Sequence, residues 1–301
     1  MNKKIVVIGS LNMDWVIPVK HTPVEGETIL AEGYTEVPGG KGANQAYAVG
    51  KLGGNIAMLG MVGNDDIGNK LIANLKDVNV DTSRVEKLSN SKSGLALIYV
   101  NSQGNNSIVV LPGANSKCDI EYIDKNVDII KESDIVLIQM EIPKNTVYYV
   151  INLANKLGKT IILNPAPAPD SITDDILSKI DYFTPNETEL AKISRNQVTS
   201  IEEAKEASKI LLEKGVKNII ATLGENGALL VSKEEIKHFE VEKVSAIDTT
   251  AAGDSFNGAV AVYLSEGYSI DEAIKFANKV SSIAVTRKGA QTSIPSREEV
   301  E

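Results

Sequence analysis

Cysteine is nearly absent from this sequence: Cys118 is the only one in 301 residues. An intrachain disulfide and a multi-cysteine metal centre are both excluded, and the composition suits a reducing cytoplasm. Long apolar runs are missing as well. Nothing approaches the roughly 18 apolar residues that span a bilayer, and Met1-Asn2-Lys3-Lys4 passes straight into a strand-like run where a signal peptide would carry its apolar segment. No long basic run occurs either. With 31 Lys and Arg against 40 Asp and Glu, the net charge of −9 argues against nucleic acid and anionic membranes as partners. There is no internal repeat and no low-complexity segment. The expectation is a cytoplasmic protein that acts on something small. Its length suits one large domain, or one domain with an appendage, and is ample for a sizeable core.

Short β-branched runs alternate with longer periodic segments, the pattern of an α/β fold with a mostly parallel sheet. Ile5-Val6-Val7-Ile8 reads as a buried first strand ending at Gly9. Similar runs occur at 56–59, 135–138, 161–163 and 219–221. Helical patterns fill 44–52, 68–75, 145–157, 201–213, 254–265 and 270–286. Two stretches break the rhythm. Residues 12–38 are extended and punctuated by Pro18, Pro23, Gly26 and Gly33, and 93–112 reads as a hairpin, Gly94 to Val100 and Ser107 to Leu111, around a polar loop. Neither fits a βαβ unit. Both are assigned to a small β-sheet lid on a three-layer α/β/α domain spanning 1–301.

Ligands of open α/β sheets bind beyond the carboxyl ends of the strands. Those exits here are rich in Asn, Asp, Glu and Thr, residue types that also cap helices and make turns. Several phosphate motifs are missing. The Lys41 neighbourhood lacks the first glycine and the Ser or Thr of a P-loop, no GxGxxG follows the first strand, and protein-kinase signatures are absent. Two segments stand out. Gly39-Gly40-Lys41-Gly42-Ala43-Asn44-Gln45 opens the first long helix, where glycines allow close backbone approach to a ligand or simply a tight turn. Asp248-Thr249-Thr250-Ala251-Ala252-Gly253-Asp254 enters a later helix, where small residues leave N–H groups free for an anion. Asp254 there is either an N-cap or a general base for an alcohol attacking phosphorus.

With those segments in place, the chain resembles the ribokinase (carbohydrate and nucleoside kinase) family. The likeness runs in family order over nearly the whole chain. It includes Gly9-Ser10-Leu11-Asn12-Met13-Asp14, the 39–46 segment, Leu163-Asn164-Pro165-Ala166-Pro167-Ala168, Thr184-Pro185-Asn186-Glu187-Thr188-Glu189, Thr222-Leu223-Gly224-Glu225-Asn226-Gly227, the 248–254 segment and 284–291. The resemblance implies transfer of the γ-phosphate of ATP to the 5-hydroxyl of D-ribose, giving ribose 5-phosphate and ADP. It implies that Asp254 is the base, that Ala251, Ala252 and Gly253 form an anion hole, and that Asn12, Asp14, Gly40, Lys41, Asn44 and Glu141 hold the sugar together with Asp254. Nucleotide contacts fall on Asn186, Thr222, Gly224, Gly227, Gly253 and Asn278. Glu189 matches the glutamate that organises Mg2+ through water. A K+ ion is implied beside Asp248, Thr250, Ala284, Arg287, Gly289 and Ser293, and a homodimer through the lid strands. The alternatives are a kinase for another pentose, deoxyribose or a nucleoside, and a sugar-binding regulator without catalysis; intact Asp254 and Gly253 speak against the last.

Overall fold

Each residue of the first strand is fully buried, but alternate ones serve different cores. Val6 and Ile8 join one apolar cluster and Ile5 and Val7 the other, because successive strand side chains point to opposite faces. A strand covered on both faces needs helices on both, which is the three-layer arrangement expected from the sequence. The computed structural model describes residues 3–301.

The strands, in chain order, are β1 (Ile5–Ile8), β2 (Asn12–Pro18), β3 (Thr35–Gly39), β4 (Ile56–Leu59), β5 (Met61–Gly63), β6 (Glu86–Leu88) and β7 (Gly94–Val100). They continue as β8 (Asn106–Leu111), β9 (Ile135–Ile138), β10 (Thr160–Leu163), β11 (Tyr182–Phe183), β12 (Asn218–Thr222), β13 (Ala228–Ser232) and β14 (Ile236–Phe239). The main sheet has the order β14-β13-β12-β11-β10-β9-β1-β4. From β4 to β12 its neighbours are parallel, while β13 and β14 close one edge antiparallel. That antiparallel edge was not foreseen: Ala228-Leu229-Leu230-Val231 is an apolar run without a helix before it, so no βαβ rhythm announces it.

Strand β1 lies between β4 and β9, and the chain leaves it toward β4 first and β9 later. The sheet order therefore reverses at β1, the place where such sheets open a crevice. The second sheet, β3-β2-β7-β8, is built from the two stretches assigned above to a lid. β2 pairs with β7 in parallel, so the two sequence stretches meet side by side and do not form separate hairpins. A third, two-stranded sheet joins β5 and β6.

Candidate active site

The crevice is closed off by the Lys41–Lys51 helix, whose start follows from its glycines. Gly40 has φ +87°, a left-handed conformation, and a Cβ there would lie 2.7 Å from the Asn12 nitrogen. A Cβ on Gly42 would lie 2.6 Å from the Gly9 carbonyl carbon. The turn reading and the binding reading of these glycines thus coincide: the helix is pressed onto the exit of β1. There Glu141, just past β9, accepts hydrogen bonds from Ser10 Oγ at 2.6 Å and from the Lys41 backbone at 3.0 Å. Asn12 Oδ1 accepts from Asn115 Nδ2 at 2.7 Å. Asn12, Asn115 and Glu141 face a cavity of about 360 Å³ whose remaining wall includes Met140 and Val110.

Asp254 stands at the opposite side of the crevice. The helix Ala252–Glu266 begins at Ala251, which takes a left-handed φ of 58° and offers no side-chain cap. Asp254 is inside the first turn, 6 % exposed, and its carboxylate bonds other elements. Asn44 Nδ2 donates to Oδ2 and Gln45 Nε2 to Oδ1, each at 2.9 Å. The N-cap reading of Asp254 is therefore excluded. An uncapped helix start leaves its first N–H groups for an anion. Nothing lies within 4 Å of where a Gly253 Cβ would be, so this turn faces open space.

That space is shared by two cavities. One, about 470 Å³, is lined by Thr222, Gly224, Gly227, Val241, Asn278 and others. The second, about 210 Å³, contains Lys41, Asn164, Glu189, Ala251 and Asp254. Asn186, Thr222, Thr249, Ala252 and Gly253 line both. The predicted nucleotide residues thus gather on one side of the turn and Asp254 on the other. Asn186 caps the Glu187–Ser194 helix in a capping box, and Glu189 Oε2 returns a bond from the Asn186 N–H at 3.0 Å.

The electrostatics follow from four acidic groups around one lysine. Burial, helped by Glu141 and Asp254, pushes the Asp14 carboxyl up to about 7, and Lys41 pulls it back. The Asp254 carboxylate, against burial, holds the Lys41 ammonium above its ordinary value, with help from Glu141 and Glu189. Burial raises Glu189, opposed by the Asn186 hydrogen bond. Lys41 was expected only to hold sugar; its position in the cavity with Asp254 and Glu189 also places a cation beside the anion turn.

The expected cation residues are brought together in part. Asp248 Oδ1 accepts from the Thr250 N–H at 2.9 Å and from Thr250 Oγ1 at 2.5 Å, and its Oδ2 accepts from the Gly289 N–H at 2.9 Å. Burial raises Asp248, yet these hydrogen bonds outweigh it and hold the carboxyl below its ordinary value. Ile247 and Asp248 both donate to the Val285 carbonyl, which ties this segment to the end of the Ile270–Ala284 helix beside Ala284. Arg287 turns its guanidinium to Glu299 at 2.7 Å and Ser293 Oγ donates to the Ala290 carbonyl, so neither side chain joins the Asp248 cluster; the resemblance has most of these residues act through backbone carbonyls, with Asp248 the one charged ligand.

Several participants escaped the sequence reading. Gln45, Gln139, Asn164, Thr184 and Asn257 are buried carboxamides and a hydroxyl in one network around Asp254. Their only signal was position at strand exits, beside Asn44 or, for Asn257, one turn along the helix from Asp254, and a buried Gln has no spacing rule to betray it.

Comparisons with known proteins agree with this geometry. A curated ribokinase of Haemophilus influenzae is 39% identical over 299 residues, 99% of this chain and 97% of that protein. A deoxyribokinase of Salmonella typhi is 38% identical over 295 residues, covering 98% and 96%. The structure of Arabidopsis thaliana ribokinase complexed with ribose and ATP superposes with a TM-score of 0.93 at 34% identity, covering 100% of this chain and 98% of that one. The profile of pfkB family carbohydrate kinases matches residues 2–297, essentially the whole sheet, lid and crevice just described. The chain belongs to the pfkB family of carbohydrate kinases and is a phosphotransferase acting on a sugar hydroxyl.

Proposed function

We propose that this kinase transfers the γ-phosphate of ATP to the 5-hydroxyl of D-ribose, with Asp254 as base. The observation that carries the reading is the position of Asp254 beside the uncapped turn where a cavity fit for a nucleotide meets one lined by Lys41 and Asn164. The sugar lies among Asn12, Asp14, Gly40, Asn44 and Glu141, convergent polar groups of the kind a polyol needs. ATP lies along Asn186, Thr222, Gly224, Gly227 and Asn278. The sugar hydroxyl oxygen attacks the γ-phosphorus, its proton passes to Asp254, and the bond to the β,γ-bridging oxygen breaks, releasing ADP. N–H groups of the Ala251-Ala252-Gly253 turn, where Ala252 also makes a long 3.3 Å bond to the Thr249 carbonyl, offset with Lys41 the charge on the transferring group. Such chemistry asks mainly for positioning.

Two metals fit the residues present. Glu189 spends only Oε2 on its cap and faces the smaller cavity, which suits Mg2+ that keeps its waters. Held there through water, Mg2+ would neutralise phosphate charge. Asp248, with three of its roughly four acceptor sites used, keeps one for a large monovalent cation among backbone carbonyls. K+ at that place would steady the turn that begins three residues on, at Ala251. Rates are expected to rise when K+ replaces Na+, and Asp248→Ala to abolish the difference; equal initial rates of the unaltered enzyme in both salts would remove K+ from the account.

Asp14 gives a pH dependence. Its ionised form accepts sugar hydroxyls, so protonation near pH 7 in the empty site opposes binding. Below that pH, kcat/KM for sugar is expected to fall by up to about tenfold per unit, since this ratio reports the free enzyme. Asp14→Asn lowers kcat/KM overall and flattens that limb; a variant with the same slope would exonerate Asp14.

We further read the chain as one kinase domain over 1–301 whose lid strands pair in a homodimer, because Ile108, Val109, Val110 and Leu111 on the edge strand β8 are all about half exposed. No helix among the described residues is long and apolar enough to cross a membrane. The use of ATP as donor suits the cytoplasm. An ADP-release assay over D-ribose, 2-deoxyribose, fructose and adenosine tests the substrate. The highest kcat/KM is expected for ribose; a preference for deoxyribose, the substrate class named for the Salmonella relative, would overturn the ribose assignment.

A further inference from the structure

Asp254 is held from one side by a buried carboxamide that belongs neither to the sugar set nor to the lining of the nucleotide cavity. Gln45 is fully buried, and so is Gln139 beyond it. Gln45 Nε2 donates twice, to Asp254 Oδ1 at 2.9 Å and to Asn164 Oδ1 at 3.1 Å. Asn164 is itself oriented, because its Nδ2 donates to the Thr184 carbonyl at 3.0 Å. Both acceptors before Gln45 are thus fixed as oxygens, and only the amide nitrogen can face them. Gln45 Oε1 in turn accepts from Gln139 Nε2 at 2.6 Å. Each amide therefore has one permitted orientation, decided by its neighbours.

The far end of this chain is costly. Gln139 Oε1 is buried without a hydrogen-bond partner. An orphaned buried acceptor of this kind is destabilising. Turning the Gln139 amide over would supply a donor there but would set its oxygen against Gln45 Oε1. A Cβ at Gly9 would run into Gln139 Oε1, so the glycine that ends β1 also makes room for this amide. A fully apolar side chain at 139 would avoid the cost, so the amide is kept for what its nitrogen does to Gln45.

We infer that Gln45 is a positioning residue for the Asp254 carboxylate and that Gln139 fixes Gln45 in the donating orientation. This rests on Asp254 being the base. With Asn44 on Oδ2 and Gln45 on Oδ1, the carboxylate plane is set by two donors from adjacent residues of one helix, which leaves the remaining lone pairs for the incoming hydroxyl. Asn44 also belongs to the sugar set, so Gln45 is the donor that remains committed to Asp254 while the sugar is bound.

The test uses purified Gln45→Met and Gln139→Met, similar in size and unable to donate. One hydrogen bond to a charged group corresponds to a change of about 10- to 100-fold. Gln45→Met is expected to lower kcat by that factor while the calorimetric Kd for D-ribose stays within about threefold, and Gln139→Met to lower kcat less, with the same split. In the Asp254→Asn background, Gln45→Met is expected to leave the residual rate unchanged, which a merely structural role would not do. Unaltered kcat in both single variants, or a fall in kcat matched by the same loss of ribose affinity, would overturn the assignment. Should Gln45→Met fail to fold, Gln139→Met carries the test alone. Asp254→Asn separates the two readings: if it stays active, the base assignment fails, and if it is inactive while both glutamine variants behave as the unaltered enzyme, only the positioning role fails.

Discussion

Asp254→Asn is expected to lower kcat by about 10³-fold, within the range general bases contribute, while ribose binding by calorimetry stays within about tenfold. The change removes the proton acceptor at nearly constant volume. It also reverses one hydrogen bond. Both carboxylate oxygens accept from amide nitrogens, so the asparagine amide can satisfy Asn44 or Gln45 but sets its own NH2 against the other. Loss of one hydrogen bond to a charged group costs about 1.5–3 kcal/mol, partly offset because a buried charge has gone. Asp254→Ala removes both contacts without the clash and serves as the companion. Near-normal kcat in either variant would show that the proton leaves by another route. A fall in sugar affinity as large as the fall in kcat would make Asp254 a binding residue alone.

Gly253→Ala separates folding from catalysis in the opposite sense. The added methyl meets no atom within 4 Å, so the fold has room for it. Position 253 lies in the first turn of the Ala252–Glu266 helix, where alanine is up to about 1 kcal/mol better than glycine. The melting temperature should therefore hold or rise slightly. The methyl nevertheless projects into the space shared by the two cavities, where the γ-phosphate is proposed to sit. Displacing an anion from even one N–H donor costs about 10²- to 10³-fold in rate. The expected outcome is a stable protein with kcat down by that factor and weakened ATP binding. An active, stable Gly253→Ala enzyme would place the phosphate elsewhere.

The sequence carried the frame of this molecule well wherever local chemistry was self-sufficient. The run Ile5-Val6-Val7-Ile8 could only be a strand buried on both sides, and the helix at Ile201–Glu213 follows its expected bounds residue for residue. The lid stretches were legible because their prolines, glycines and polar loop interrupt the βαβ rhythm. Their pairing was not: β2 meets β7 in parallel across some eighty residues of chain, and no local pattern encodes a contact of that range. Likewise Gly39 to Gln45 and Asp248 to Asp254 announce two unusual helix starts, while their meeting at Asn44–Asp254 spans 210 residues.

One cysteine and no long basic or apolar run narrowed the expected partner to something small. Composition and periodicity also determined the α/β frame, since side-chain alternation and helical spacing act over a few residues. Tertiary structure alone decided that Asp254 is not a cap, that Lys41 lines a cavity with Ala251 and Asp254, and that Gln139 donates to Gln45. Those outcomes depend on which donors and acceptors are buried together, and burial is a property of the assembled layers, not of neighbours in the chain.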